Sequence, residues 1–216
     1  MRAIIIASGD STEDLGQQHW IEDSDLLIGA DGGAGRALRW GLAPQFVIGD
    51  MDSLSEPARQ ALEAQGATFE HHPRAKDETD LELALSFAAE QGAREIIIFG
   101  ALGGRLDHTL SNLLLLTLPC LEEVALRIVH GAEEVLLVRG GEIVTVTGNP
   151  GDVVSLLPWG GDVHGVTTQG LAWKLENDTL KFGFSRGVSN EMEASEARIS
   201  VEAGRLLVVH GPRPME

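Results

Sequence analysis

The chain has 216 residues, 43% of them hydrophobic and 23% charged, enough for one large domain or two small ones with real cores. Its 16 basic residues stand against 33 acidic ones, a net charge of −17, which argues against binding nucleic acid through the phosphate backbone. A polyanionic substrate must bring its own cations or meet a few local basic groups.

The opening "MRAIIIASGD" has too short an apolar run for a signal peptide and reads as a first strand over 3–8. Further strands are expected at 25–30, 45–50, 67–72 and 95–101, with helices at 35–41, 56–66, 79–92 and 107–118 between them. The 79–92 helix places Leu81, Leu85, Ala88 and Ala89 on one face and stops at Gly92. Continuous apolar strands alternating with helices predict a parallel sheet covered on both faces. "LLLLTLP", at 113–119, is far shorter than a membrane span, so no membrane partner is expected. Cys120 is the single cysteine, and with no intrachain disulfide available a reducing, cytoplasmic setting is expected.

Beyond Cys120 the texture changes. "VALRIVH", "EEVLLVR", "EIVTVTG", "DVVSLLPW", "LAWKLEN", "TLKFG", "ARISVEAG" and "RLLVVHG" are short strand-like runs separated by Gly, Asn and Asp. The expectation is an α/β domain over 1–120 and an all-β sandwich over 121–216.

Ligands of open parallel sheets bind beyond the carboxyl ends of the strands, and polar clusters gather there. "GADGG" (29–33) is either a tight turn with Asp31 as a cap, or a loop whose Gly32 and Gly33 let backbone N–H groups reach a phosphate. "GDMDS" puts Asp50 and Asp52 two apart after a strand, either on one side of an extended segment or in a solvated Asx turn before the helix that starts near Ser55. At ~5 Å and an effective dielectric of ~20, such carboxylates repel by roughly 3 kcal/mol, so a cation is expected between them. Mg²⁺ fits, because it takes carboxylates together with substrate phosphates.

In "KDETDLELAL", Thr79 and Glu82 fit a capping box, which requires neither Lys76 nor Asp77. Asp80 suits a helix start in any case. "GALGGRLDH" carries Gly103 and Gly104 before Arg105, a phosphate contact by type, and Asp107, which otherwise caps the next helix. "GFSRG" matches a nucleophile elbow, but strand-like residues follow it instead of a helix, so Ser185 is read as a turn residue. No P-loop or dinucleotide fingerprint occurs.

In order, "ADGGA", "PQFVIGDMDS", "KDETDLELAL" and "GALGGRLDHTLSN" resemble the N-terminal domain of thiamin pyrophosphokinases, and "GVTTQGLAWKLENDTLKFG" and "GVSNE" extend the resemblance over nearly the whole chain. It implies an α/β nucleotide-binding domain, a C-terminal β-sandwich and a homodimer. The implied reaction uses ATP, Mg²⁺ and thiamin and gives thiamin diphosphate and AMP. By matching position, Asp50, Asp52 and Asp80 would hold metal and phosphates, with Asp77 or Asp80 accepting the hydroxyl proton. Asp31, Gly32, Gly33, Lys76, Gly103, Gly104, Arg105 and Asp107 would face the nucleotide, and Thr167, Trp173, Ser189 and Asn190 the thiamin at the dimer interface. On residue type alone, Trp173 reads as sandwich core and Asn190 as a turn. Two other functions share these features: a pyrophosphokinase for another heterocyclic alcohol, and a non-catalytic nucleotide or metal sensor.

Overall fold

The apolar runs of the first half form strands, and those inside the sheet are buried on both faces. A computed structural model describes residues 1–9 and 17–213, and the chain divides into two units, Met1–Gly131 and Ala132–Glu216. In the first unit β1 (Arg2–Ile6), β2 (Leu26–Ala30), β3 (Phe46–Gly49), β4 (Thr68–His71), β5 (Glu95–Phe99) and β6 (Ala125–His130) pair in parallel. Their order is β6-β5-β1-β2-β3-β4. Neighbouring side chains on a strand point to opposite faces, so the complete burial of Ile4, Ile5 and Ile6 requires cover on both sides. Each such side chain contributes about 2 kcal/mol.

α1 (Gly33–Arg39) packs on β1 and β2, and α3 (Asp80–Glu90) packs on β1, β2 and β3. α2 (Glu56–Ala64) lies against α1, and α4 (Leu106–Leu115) against α3. As the capping box predicts, Thr79 Oγ1 accepts from the Glu82 N–H at 3.2 Å.

The strand order reverses between β1 and β5, the switch point at which such sheets open a crevice. Here the two strand ends stay joined, through Ala7 N–H to the Phe99 carbonyl (2.8 Å) and Gly9 N–H to the Gly100 carbonyl (2.9 Å). Arg36 of α1, buried beneath them, donates to the carbonyls of Ala7 and Gly9.

The division between units falls later than the expected 120. "VALRIVH" was expected among the sandwich strands, but β6 within it extends the parallel sheet beside β5, from Glu95 opposite Ala125 to Phe99 opposite Val129. A fully apolar strand reads alike in either setting.

The second unit is antiparallel. One sheet has the order β12-β9-β14-β7, built from β7 (Glu133–Arg139), β9 (Val153–Pro158), β12 (Asn190–Glu191) and β14 (Arg205–Gly211). The other has the order β11-β10-β13-β8, built from β8 (Ile143–Thr147), β10 (Val163–Gln169), β11 (Asp178–Leu180) and β13 (Glu196–Ser200). Alternate residues turn inward, as Val154 and Leu156 do on β9 and Ala197 and Ile199 on β13, into one apolar core.

Two sequence expectations fail here. β10 escapes the pattern because Gly165, at φ +67°, breaks the alternation and shifts the register against β11. "LAWKLEN" is not a strand but a run of bends, with an isolated bridge from Leu171 to Met192 and backbone bonds from Thr168 N–H to the Leu175 carbonyl and from Ala172 N–H to the Glu191 carbonyl.

An ion cluster is buried at the end of β14. His210 Nδ1 lies 3.0 Å from Glu134 and Nε2 lies 3.5 Å from Asp152. The hydrogen bond to Glu134 outweighs desolvation and raises the pKa of His210 above its ordinary 6.5. A raised histidine pKa adds stability below the ordinary value, and that stability is lost as pH climbs through the raised one. As pH rises above the ordinary histidine value, the melting temperature should therefore fall more steeply in the native chain than in His210→Gln, read by calorimetry. Parallel curves would remove the cluster from the stability of this unit.

Candidate functional site

Asp31 follows β2, and its backbone N–H is held by the Ile48 carbonyl of β3 at 2.8 Å. The residue sits in the left-handed region at φ 46°, which turns its side chain toward the end of β3. There Asp50 and Asp52 come together, not along an extended segment but in the Asx turn that is the other reading of the sequence. Met51 is also left-handed (φ 65°), and Asp50 Oδ1 accepts the Asp52 N–H at 3.1 Å in an Asx turn. The turn bends the carboxylates onto one side.

Among the described residues, Asp31, Asp50 and Asp52 each place one oxygen within 4.8 Å of the others. Asp31 is 5% exposed, and its Oδ1 is buried with no hydrogen-bond partner. A buried carboxylate oxygen without a donor is costly. Three hard oxygens at this spacing suit a divalent cation such as Mg²⁺, which meets that oxygen's need.

Asp80 comes close by another route. A Cβ on Gly49 would lie 2.8 Å from Asp80 Oδ1 and 3.1 Å from Asp31 Cβ, so only glycine lets both acids press on the chain just before Asp50. Asp80 stands outside the three-oxygen group, however, and its Oδ1 takes the Lys76 ammonium at 2.7 Å. Arg74 Nε lies 3.6 Å from Asp52 Oδ2.

A cavity of about 250 Å³ opens over this edge, lined in part by Ser8, Asp50, Arg74, Lys76, Asp80 and His108. Sequence reading missed Arg74 and His108. The available signal was position: both occupy segments that follow strands β4 and β5 at the sheet's carboxyl edge.

The other phosphate-facing expectations fare unevenly. Gly33 is explained by packing, since a Cβ there would fall 1.9 Å from the Ile6 carbonyl, and Gly32 is the N-cap of α1. Gly103 and Gly104 turn the chain at φ 86° and 68°, outside the residues that line this cavity. Arg105 and Asp107 are exposed and pair with each other at 2.5 Å. The hydrogen bond from Arg105 holds the Asp107 carboxyl below its ordinary pKa. Arg105, not Asp107, is the N-cap residue of α4. Asp77 is exposed, and Glu78 lines the cavity in its place.

The second unit has its own pocket, about 560 Å³, lined by Trp173, Lys174, Arg186, Val188 and Asn190 among others. Trp173 is 60% exposed and so is not core. Asn190 is not a turn residue but a buried strand residue that clamps the tryptophan's backbone. Its Oδ1 accepts the Trp173 N–H at 3.0 Å, and its Nδ2 donates to the Trp173 carbonyl at 2.7 Å.

Thr167 and Thr168 serve the same loop, accepting the N–H of Asn177 (3.0 Å) and of Leu175 (2.9 Å). Ser189, left-handed at φ 59°, ties its N–H to Ser155 Oγ. Thr167 and Ser189 are outside the pocket lining; Trp173 and Asn190 are in it. Arg186 is paired with Asp178 at 2.8 Å. The Glu176 N–H first and Arg186 second hold the Asp178 carboxyl below its ordinary pKa. Ser185 lies in irregular chain with β12 after it, which rules out the hydrolase elbow.

Comparison with known proteins gives a consistent result. Residues 17–128 match the family model described as thiamin pyrophosphokinase, catalytic domain, and residues 142–206 match that of the vitamin B1 binding domain. A thiamine pyrophosphokinase of Bacillus subtilis is 30% identical over 190 residues, covering 88% of this chain and 89% of that protein. The crystal structure of the Bacillus subtilis thiamine pyrophosphokinase superposes with a TM-score of 0.89 at 28% identity, over 99% of this chain and 100% of that one. That of the Geobacillus thermodenitrificans thiamin pyrophosphokinase gives 0.83 at 30% identity, over 98% and 97%.

If the three carboxylates form one cation site, Asp31→Asn should weaken Mn²⁺ binding at least tenfold, by calorimetry, and Asp107→Asn should leave it unchanged. The cation-free Asp31→Asn protein should melt no lower than the native one, because repulsion is relieved. Equal Mn²⁺ affinity in both variants would dissolve the site.

Proposed function

The chain belongs to the thiamin pyrophosphokinase family, and from that membership we propose that it moves the diphosphoryl group of ATP onto the hydroxyl of thiamin, releasing AMP. The observation that carries this reading is the acidic sheet edge, where Asp31, Asp50 and Asp52 converge beside the basic side chains of Arg74 and Lys76. That edge suits a magnesium–nucleotide complex.

Asp31, Asp50 and Asp52 would hold the metal, with Asp80 beside them. A bound Mg²⁺ supplies charge neutralisation on the transferring diphosphate and the leaving AMP. Lys76 and Arg74 face the same cavity and supply cationic partners for phosphate oxygens. The thiamin hydroxyl must lie in line with the β-phosphorus, which makes register the specificity of the step. Asp80 lines the cavity and Asp77 does not, so Asp80 is the carboxylate assigned to accept the hydroxyl proton, at Oδ2.

For thiamin we assign the pocket of the second unit. A cationic thiazolium or a flat aminopyrimidine suits the exposed indole face of Trp173. Thr167 and Asn190 then act as positioning residues, since their polar groups hold the tryptophan loop. Phe182, Phe184 and Val188, exposed in the loop beside the pocket, support a homodimer that covers them. Among the described residues no helix is long and apolar enough to cross a membrane. The single cysteine supports a cytoplasmic setting.

Incubation with Mg-ATP and thiamin should yield AMP and thiamin diphosphate in equal amounts by chromatography. ADP with thiamin monophosphate would identify an ordinary kinase and overturn the reading. In the same assay Trp173→Ala should raise KM for thiamin at least tenfold, with KM for ATP changing less than threefold. Equal effects on both constants would take Trp173 out of the thiamin pocket.

A further inference from the structure

The Lys76 ammonium already holds Asp80, the carboxylate that meets Gly49 beside Asp31. Its side chain is 11% exposed, and Nζ lies 2.7 Å from Asp80 Oδ1. Asp80 in turn presses on Gly49, against which Asp31 also packs. The placement is set by the fold. Lys76 lies four residues before Asp80, and Asp80 is fixed at the first turn of α3 by the Thr79 cap. Arg74, from the same segment, approaches Asp52 at 3.6 Å but is 84% exposed and so weakly held. Asp31, Asp50 and Asp52 are left as the three-oxygen group, with the Asp31 Oδ1 unpartnered.

A lysine in this position does two things. It lowers the negative potential that a free divalent cation would meet, and it withholds the fourth carboxylate. It also lines the cavity in which phosphates would sit. An ammonium on a flexible four-carbon stem exchanges one oxygen partner for another at small cost. A phosphate oxygen carrying more charge than a shared carboxylate competes well for it.

We propose that Lys76 is a built-in counter-cation, which holds Asp80 in the ligand-free site and passes to the phosphates when nucleotide arrives, so that the site takes the metal with the nucleotide and disfavours the metal alone. Freed Asp80 then adds its charge to the cluster when the phosphates and cation are both present. Metal and nucleotide therefore bind with positive coupling through one side chain. This rests on the metal–nucleotide reading of the cavity given above.

The test is Mn²⁺ binding to the full chain by calorimetry and paramagnetic resonance, without and with ATP and with no thiamin present. In the native protein ATP should tighten Mn²⁺ binding. In Lys76→Met, free Mn²⁺ should bind about tenfold tighter than in the native chain, equivalent to ~1.4 kcal/mol, and the enhancement by ATP should shrink by a similar factor. Lys76→Gln serves as a second variant, with circular dichroism to confirm folding in both. Lys76→Arg, which keeps a charge, should retain most of the coupling. Unchanged or weaker free Mn²⁺ binding in both neutral variants, with ATP enhancement intact, overturns the counter-cation role alone. If ATP fails to enhance Mn²⁺ binding even in the native chain, the metal–nucleotide reading falls, and this inference with it.

Discussion

Mutual repulsion among carboxylates governs the first unit. Asp31, Asp50 and Asp52 lie close enough that each pair opposes the others by roughly 3 kcal/mol, and one oxygen is buried with nothing to bond. Such an arrangement persists only because surrounding structure over-determines it. Here the determinants are visible: a left-handed Asp31 anchored to the end of β3, a left-handed Met51 that bends the chain, and a Gly49 that lets Asp80 approach. The sheet sets all of these at one edge, because β2 and β3 are parallel neighbours and finish together. The fold thus concentrates negative charge where a cation and phosphates can relieve it.

The second unit works by apolar presentation instead of charge. Its core is closed by alternating strands, and a loop outside that core carries a mostly exposed tryptophan. Holding a large aromatic in water is unfavourable unless its backbone is restrained from collapsing inward. Asn190 supplies that restraint with both ends of its amide, and Thr167 and Thr168 fix the chain further along. A loop fixed in this way presents the indole with little backbone left to order.

Much of this was legible in the sequence. The βα alternation, the Thr79 cap and the acidic strand ends follow from apolar period and residue type, and the structure keeps them. What the sequence hid has physical causes. Asp31 joined the carboxylates, beyond the phosphate-side role expected of it, because its direction depends on a left-handed backbone that no local pattern reveals. β6 passed for a sandwich strand because a fully buried parallel strand and a sandwich strand have the same composition. β10 vanished behind the bulge at Gly165. Arg74 and His108 are single polar residues in loops, and only the folded cavity gives them a common purpose. Arg105 and Asp107 pair with each other at the exposed start of α4, which residue type alone does not reveal.

If one divalent cation sits between the carboxylates that end β2 and β3, crystals grown with Mn²⁺ and ATP should give an anomalous peak at the manganese absorption edge within ligand distance of Asp31, Asp50 and Asp52, with phosphate oxygens completing the shell on the side of Lys76. Nucleotide bound in the cavity without a peak among those three side chains, or a peak confined to other acidic residues, would contradict that placement.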